Sequence, residues 1–108
     1  MDVEVTRRDR GAVVTVRGEV DLATAPALAD ALAGIAPGDG PAVVDLTDVG
    51  FLDSSGLSVL LQARERLSAG AGLRLVVTRP ALQRVLAVTG LDEVFVVAPT
   101  VDEALAGT

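Results

Sequence analysis

Short aliphatic segments with strand character alternate along this chain with segments of helical period, and this order restricts the possible folds more than any other feature. The first two strand-like runs follow each other across a glycine-containing turn, which is typical of a β-hairpin. Later runs are separated by segments whose apolar residues recur at three- and four-residue spacing, as on one face of a helix. Strands that are linked by helices run parallel in one sheet. We therefore predict an α/β fold with a mostly parallel sheet and a mixed edge.

Turn and cap residues set the predicted boundaries of these elements. Gly18 closes the second strand, Pro26 and Pro80 suit first helical turns, and Gly70 and Gly90 suit helix ends. The predicted strands are residues 3–6, 12–17, 42–46, 73–78 and 94–98. The predicted helices are residues 24–34, 54–70, 80–90 and 101–106. A short loop is expected between the third strand and the second helix.

The length of 108 residues favours a single domain over residues 1–108, with its core spanning about residues 3–106. Half of the residues are hydrophobic but only Phe51 and Phe95 are aromatic, so we expect an aliphatic core. The net charge is −6, and the basic residues are all arginines scattered along the chain. A nucleic-acid-binding protein usually carries a basic stripe and stacking aromatic residues. The composition therefore argues against nucleic acid as a partner.

The chain contains neither cysteine nor histidine. This excludes disulfides, thiolate nucleophiles and cysteine-type zinc sites, and it removes the commonest general base. No apolar run approaches the roughly 18 residues of a membrane span, and the first ten residues lack the pattern of a secretion signal. We expect a soluble cytoplasmic protein that is not an enzyme, needs no cofactor and does not insert into a membrane.

The stretch Asp53-Ser54-Ser55-Gly56 lies where strand character gives way to helical period, and it has two interpretations. Asp and Ser are favoured N-cap residues, so the stretch can be a helix cap alone. It can also present a serine hydroxyl for chemistry. Hydrolysis by an activated serine is disfavoured, because the chain offers no histidine or lysine as a base and lacks the G-x-S-x-G pattern.

Acidic residues also gather near this stretch. Asp45, Asp48 and Asp53 lie near the end of one predicted strand, and Glu19 and Asp21 could complete an acidic rim. Carboxylate oxygens of this kind suit magnesium, but solvated charges are the simpler interpretation and we predict no metal site. The glycine-rich segment after the first predicted helix has neither the P-loop lysine nor dinucleotide spacing, so it is expected to be a loop.

Three segments together resemble a known family. Residues 18–26 are GEVDLATAP, residues 48–57 are DVGFLDSSGL, and residues 89–95 are TGLDEVF. In this order and spacing they resemble the STAS domain of bacterial anti-sigma-factor antagonists, over nearly the whole chain. The resemblance implies the STAS fold, a mixed, mostly parallel sheet of four to five strands with about four helices packed largely on one side.

The same resemblance implies a function in partner switching. In that family the unmodified antagonist binds an anti-sigma factor that is also a serine kinase, and the sigma factor is released. The kinase phosphorylates the antagonist with ATP, which ends the binding. A PPM-type serine phosphatase reverses the modification.

The family pattern implies roles for individual residues of this chain. Ser54, directly after the aspartate, matches the phosphorylated serine, and Ser55 occupies a place where the family has Ser or Thr. Asp21 and Asp53 match acidic positions that line the phosphorylation region. The positions that match the start of the docking helix are Gly56, Leu57 and Ser58. A glycine at position 56 also allows close approach of a kinase backbone, or is simply a small first-turn residue.

Two alternatives stay open at this point. The family includes subunits of membrane transport systems that are not phosphorylated, and in such a protein the serines would only cap the helix that docks on a transport ATPase. Binding of a small molecule or nucleotide by the domain itself has no supporting sequence feature.

Overall fold

The structure, a computed structural model, describes residues 1–106 and contains one five-stranded sheet in the order β1-β2-β3-β4-β5. The strands are β1 (Asp2–Arg8), β2 (Gly11–Val20), β3 (Ala42–Leu52), β4 (Leu73–Val76) and β5 (Val96–Ala98). The helices are α1 (Ala25–Ala33), α2 (Ser54–Leu67), α3 (Pro80–Thr89) and α4 (Val101–Ala106), and a 3-10 turn covers Pro37–Asp39. β1 pairs with β2 antiparallel, and the other neighbouring strands pair parallel. The predicted α/β order and mixed sheet are confirmed. Residues 107 and 108 of the predicted domain lie outside the described part.

The helices lie largely on one side of the sheet, as expected. The larger apolar cluster joins one face of the sheet to α1, α2 and α3, and includes the buried Leu28, Leu60 and Leu82. A smaller cluster on the opposite face joins the sheet to α4 through Leu105. Phe95 is buried within the larger cluster, whereas Phe51 is exposed. The core is therefore aliphatic with one aromatic side chain.

The third strand is longer than predicted, and the expected loop after residue 46 is wrong. β3 runs for 11 residues to Leu52 and leads through Asp53 directly into α2. β2 likewise continues past Gly18, which has a φ of 99° near a shift of register, instead of ending there. Such irregularities let two strands stay paired where the regular alternation breaks. The polar and glycine residues of this stretch of β3 resemble a loop in the sequence, because their pairing partners on β2 lie 31 or 32 positions earlier in the chain.

The extra length of β2 and β3 projects them beyond the rest of the sheet. β4 ends at Val76, which pairs with Asp45, so the last seven residues of β3 have only β2 beside them. The register places Val20 opposite Leu52. Both strands therefore end together at one edge, where each is followed by an aspartate.

The end of α1 is held by a side chain of α2. α1 ends at Ala33, and Gly34 after it has a φ of −77°, which is not the left-handed conformation of a glycine cap. Arg66 instead donates from Nη2 to the Leu32 carbonyl at 2.7 Å and from Nη1 to the Ile35 carbonyl at 2.8 Å. Both carbonyls at the negative end of the helix are thus paired with a cation.

We expect Arg66→Ala to lower the free energy of unfolding by about 2 kcal/mol, because hydrogen bonds to charged groups each contribute about 1.5–3 kcal/mol. Urea denaturation measures the difference. Arg84→Ala is the matched control, since Arg84 is exposed on α3 and hydrogen-bonds to no group within residues 1–106. A change below about 0.5 kcal/mol in both variants would show that Arg66 does not hold α1.

The loop between α1 and β3 is tied to the sheet and to α2. Asp39 accepts hydrogen bonds from the Ala36 backbone N–H and from Arg7, both at 2.9 Å, and these partners lower the pKa of its carboxyl from the ordinary value of an aspartate. Gly70 does not cap α2 as predicted, because that helix already ends at Leu67. A Cβ at Gly70 would collide with the backbone of Pro37, so the glycine is required by close packing. The glycine-rich segment is confirmed as a loop.

Within residues 1–106 no helix combines the length and the apolar character needed to cross a membrane, and the longest, α2, has 14 residues.

Candidate functional site

Two aspartates follow paired strand ends at the carboxyl edge of the sheet. The Asp53 N–H donates to the Val20 carbonyl at 3.1 Å, which joins the end of β3 to the end of β2. Val20 and Leu52 are paired across the two strands, and each is followed directly by an aspartate, Asp21 or Asp53. Neighbouring strands lie about 5 Å apart. The tertiary structure therefore places Asp21 beside Asp53, although 32 positions separate them in the sequence.

Asp53 is the N-cap of α2. Its backbone is extended, and its Oδ1 accepts hydrogen bonds from the N–H groups of Ser55 at 2.9 Å and Gly56 at 3.4 Å. These two groups belong to the four N–H groups at a helix start that lack a partner within the helix. The sequence allowed either an aspartate or a serine as the N-cap of α2. The structure shows that Asp53 is the N-cap, so the hydroxyls of Ser54 and Ser55 are not used in capping.

Ser54 is the first residue of α2 and is exposed. Its hydroxyl makes no hydrogen bond to any group in the described part of the chain. A helix start carries partial positive charge and attracts anions. The hydroxyl is thus exposed and hydrogen-bonded to no described group, and it lies at the end of a helix that favours negative charge.

The residues after Ser54 alternate between the surface and the core. Ser55 is half-buried, Gly56 and Leu57 are buried, and Ser58 is exposed one turn beyond Ser54. Contact of this helix start with a partner stays a prediction. In the unbound protein Ser54 and Ser58 are the exposed residues of this stretch, whereas Gly56 and Leu57 lie beneath them.

The glycine at position 56 is required inside the molecule. A Cβ at Gly56 would collide with the Leu52 side chain and lie 2.8 Å from Cγ1 of Val20. The helix start rests directly on the paired ends of β2 and β3. Close approach of a kinase backbone is therefore not needed to explain this glycine.

Asp21 organises the turn that leads into α1. Its Oδ1 accepts from the N–H groups of Ala23 and Thr24, both at 3.0 Å, and from the Thr24 hydroxyl at 3.1 Å. The same hydroxyl accepts from the Asp21 N–H, and its single proton is shared between the Asp21 Oδ1 and the Glu19 carbonyl. The Asp21 carboxylate is half-buried, and its hydrogen bonds are made within its own turn. It therefore fixes the shape of the turn beside the start of α2.

Two exposed apolar side chains at this edge were not predicted as site residues. Leu22 is 78% exposed directly after Asp21, and Phe51 is 49% exposed near the end of β3, opposite Glu19 in the register. Phenylalanine is enriched in protein interfaces relative to the rest of the surface, so Phe51 is a candidate contact residue. Little in the sequence indicates that these two residues belong to the site. Phe51 is one of only two aromatic residues, but whether it is exposed depends on how the sheet packs.

The acidic residues do not form a metal-binding group. Asp45 accepts hydrogen bonds from the N–H and hydroxyl of Thr47, at 3.0 and 2.5 Å. Asp21 and Asp53 are committed to their turns, and the described residues contain no set of three ligating side chains that could hold a metal ion.

Comparisons with known proteins agree with this architecture. A family model described as the STAS domain matches residues 2–104. The anti-sigma-F factor antagonist RsfB of Mycobacterium tuberculosis is 35% identical over 107 residues, which cover 97% of this chain and 87% of the relative. The crystal structure of an anti-sigma factor antagonist from Mycobacterium paratuberculosis is similar with a TM-score of 0.88 and 39% identity, covering 97% of this chain and 91% of that one.

A more distant structure shows the same arrangement. An anti-sigma-factor antagonist (STAS) domain protein from Planctomyces limnophilus has a TM-score of 0.79 and 27% identity, covering 98% of this chain and 97% of that one. The resemblance that the three sequence segments carry is thus confirmed by family, relatives and fold. This chain belongs to the STAS domain family.

Proposed function

We propose that this protein is an anti-sigma-factor antagonist that acts by binding, not by catalysis, in the cytoplasm. In its unmodified form it binds an anti-sigma factor and so frees a sigma factor. The names of the relatives support this function over that of a transporter subunit. The cap geometry supports it too, because the Ser54 hydroxyl takes no part in capping α2.

The partner in this proposal is a serine kinase that modifies Ser54. The Ser54 Oγ attacks the γ-phosphorus of ATP, the bond to ADP breaks, and the hydroxyl proton passes to a base on the kinase. The exposed and uncommitted hydroxyl at the start of α2 is the observation that carries this assignment. A PPM-type serine phosphatase would return the protein to its binding form by hydrolysing the phosphoester.

The fold should tolerate this phosphate. Anions at a helix start gain about 0.3–1 kcal/mol at an exposed site. The Asp53 carboxylate opposes the phosphate, and unit charges roughly 6 Å apart repel by about 0.7–2.8 kcal/mol for effective dielectric constants of 80 down to 20. The two effects partly offset each other at an exposed residue. We therefore expect phosphorylation to act on the partner contact and to leave the backbone nearly unchanged.

Intact mass measurement tests the site. The purified protein, incubated with Mg-ATP and an anti-sigma-factor kinase, is expected to gain one phosphate, because Ser54 offers the free hydroxyl at the edge. Ser54→Ala should abolish the gain. Ser58→Ala is the matched control, since Ser58 is also exposed on α2, and it should still accept one phosphate. Phosphate retained in the Ser54→Ala protein would overturn the assignment of the site.

A further inference from the structure

The first strand leaves one side of the sheet open. β1 lies at the end of the strand order and pairs with β2 over seven residues in one continuous register. β1 contains no proline, and β5 at the other end of the sheet has only three residues. A long, regular edge strand presents unpaired N–H and C=O groups that another strand can bind. β1 is therefore the longer of the two open edges.

One hydrogen bond identifies which backbone groups of β1 face outward. The Ala12 N–H donates to the carbonyl of Pro41, directly before β3, at 3.1 Å, so Ala12 turns its backbone away from β1. Ala12 lies opposite Arg7, and opposed residues in an antiparallel pair alternate between bonding each other and pointing apart. Arg7, Val5 and Val3 therefore direct their N–H and C=O groups away from β2. Within residues 1–106 no other segment hydrogen-bonds to these groups.

The charges of β1 complement a second copy of the strand that runs in the opposite direction. The acidic residues Asp2 and Glu4 lie in its first half, and Arg7 and Arg8 lie at its end. Residues 2–10 hold three acidic and three basic residues, so this segment is neutral although the chain carries a net charge of −6. Opposite charges facing each other across two strands stabilise the pair, and like charges destabilise it. An antiparallel second copy therefore matches this edge.

We propose that two copies of this chain associate through antiparallel pairing of their β1 strands about a two-fold axis at Val5, which joins two five-stranded sheets into one. All seven residues of β1 are paired in this register, and Asp2 lies opposite Arg8 of the second copy at both ends. The outward groups of Val3 meet those of Arg7 of the second copy. Val5, which is 40% exposed in the single chain, meets Val5 of the second copy.

Other registers of the two strands fit less well. A shift by one residue sets outward groups against inward groups, because the groups alternate along each strand. A shift by two residues puts Glu4 opposite Glu4 of the second copy in one direction and leaves two residues of each β1 unpaired in the other. Asp2 and Arg8 also pair within the chain with Arg17 and Asp102, at 3.3 and 3.7 Å, but all four side chains are exposed and accessible to a second copy.

This interface is separate from the serine site. β1 lies on the outer side of β2, whereas α2 and its Ser54 begin at the end of β3. The dimer therefore presents two copies of the serine site, and the inference does not rest on the proposed function.

Sedimentation equilibrium of the full chain at about 1 mM, which detects dissociation constants up to the millimolar range, tests the dimer. The expected mass is twice the 11.0 kDa of the single chain. Val5→Pro removes the outward N–H at the centre of the interface, and proline is tolerated on an edge strand whose N–H faces solvent. This variant should dimerise about tenfold more weakly or worse, since each copy loses a hydrogen bond. Val5→Thr is the matched control, because it keeps the N–H and a β-branched side chain, and it should dimerise like the parent.

An exchange of charges tests the register without the proline variant. Arg8→Asp places two carboxylates opposite each other at both ends of the interface and should weaken the dimer. Asp2→Arg added to the same protein restores opposite charges in exchanged order, so the double variant should dimerise like the parent. Arg10→Asp is the matched control, since it makes the same change of net charge beyond the paired strand.

Hydrogen exchange reports the same register residue by residue. The amides of Val3, Val5 and Arg7 should exchange more slowly in the dimer, whereas those of Glu4 and Thr6 already face β2 and should not change. A parent protein with the mass of a single chain would overturn the proposal. Dimers of equal strength in the parent and in Val5→Pro, or no recovery in the double charge variant, would also overturn it, since the interface would then lie elsewhere.

Discussion

Protein phosphorylated at Ser54 is expected to bind its anti-sigma factor more than a hundredfold more weakly than the unmodified protein. The phosphate adds a charge of about −1.5 to −2 next to the Asp53 carboxylate. A kinase must place the phosphates of its nucleotide beside the hydroxyl that it modifies, so the new dianion meets like charge when the proteins dock. Like-charge contacts in an interface cost several kcal/mol, and about 3 kcal/mol corresponds to more than a hundredfold in affinity.

Isothermal titration calorimetry with the two forms of the protein measures this difference. Ser54→Asp carries a single negative charge, so its affinity should fall between those of the two forms. Ala81→Asp is the control, because it places the same carboxylate at an exposed position in the first turn of α3, and it should bind within twofold of the parent. Equal affinity of the phosphorylated and unmodified proteins would refute the switch.

The backbone should change little in the same experiment. Amide chemical shifts are expected to move for the residues around Ser54 and to stay constant in α3 and α4, since the modified hydroxyl is exposed and bonds to no described group. Shift changes spread over the whole sheet would mean that phosphorylation acts by refolding the domain, not at the interface.

Gly56→Val is expected to lower the free energy of unfolding by about 3 kcal/mol. The added carbons would collide with the buried side chains of Leu52 and Val20 where α2 rests on the strand ends. Overpacking of a core typically costs 1–3 kcal/mol, and a β-branched residue in the first turn of a helix adds to this. Because the same contact positions Ser54, we also expect the variant to be phosphorylated more slowly than the parent.

Gly38→Val is the matched control for this variant. A Cβ at Gly38 would meet no atom within 4 Å, and its φ is not positive. Its stability should therefore stay within about 0.5 kcal/mol of the parent in chemical denaturation. A Gly56→Val protein as stable as Gly38→Val would show that the helix start can lift away from the sheet, and our account of this glycine would be wrong.

The largest differences between prediction and structure lie at the site itself. The loop expected before α2 is strand, because residues 46–52 of β3 pair with the extended β2. The sequence also does not show that Gly56 and Leu57 are buried, which follows from the register of Val20 against Leu52, since this pairing sets the helix start on the strand ends. In each case the deciding contact joins residues far apart in the chain, which local periodicity does not register.

The sequence by itself determined the order of strands and helices, the mixed parallel sheet, the family, and the presence of Ser54 at the start of α2. These follow from periodicity, cap residues and a local pattern, all of which act over a few neighbouring positions. Only the tertiary structure decided that Asp53 lies against the end of β2, that Gly56 is enclosed by Leu52 and Val20, and that Leu22 and Phe51 are exposed. Each of these depends on which distant segments pack together, since burial and exposure are properties of packed surfaces and not of residue order.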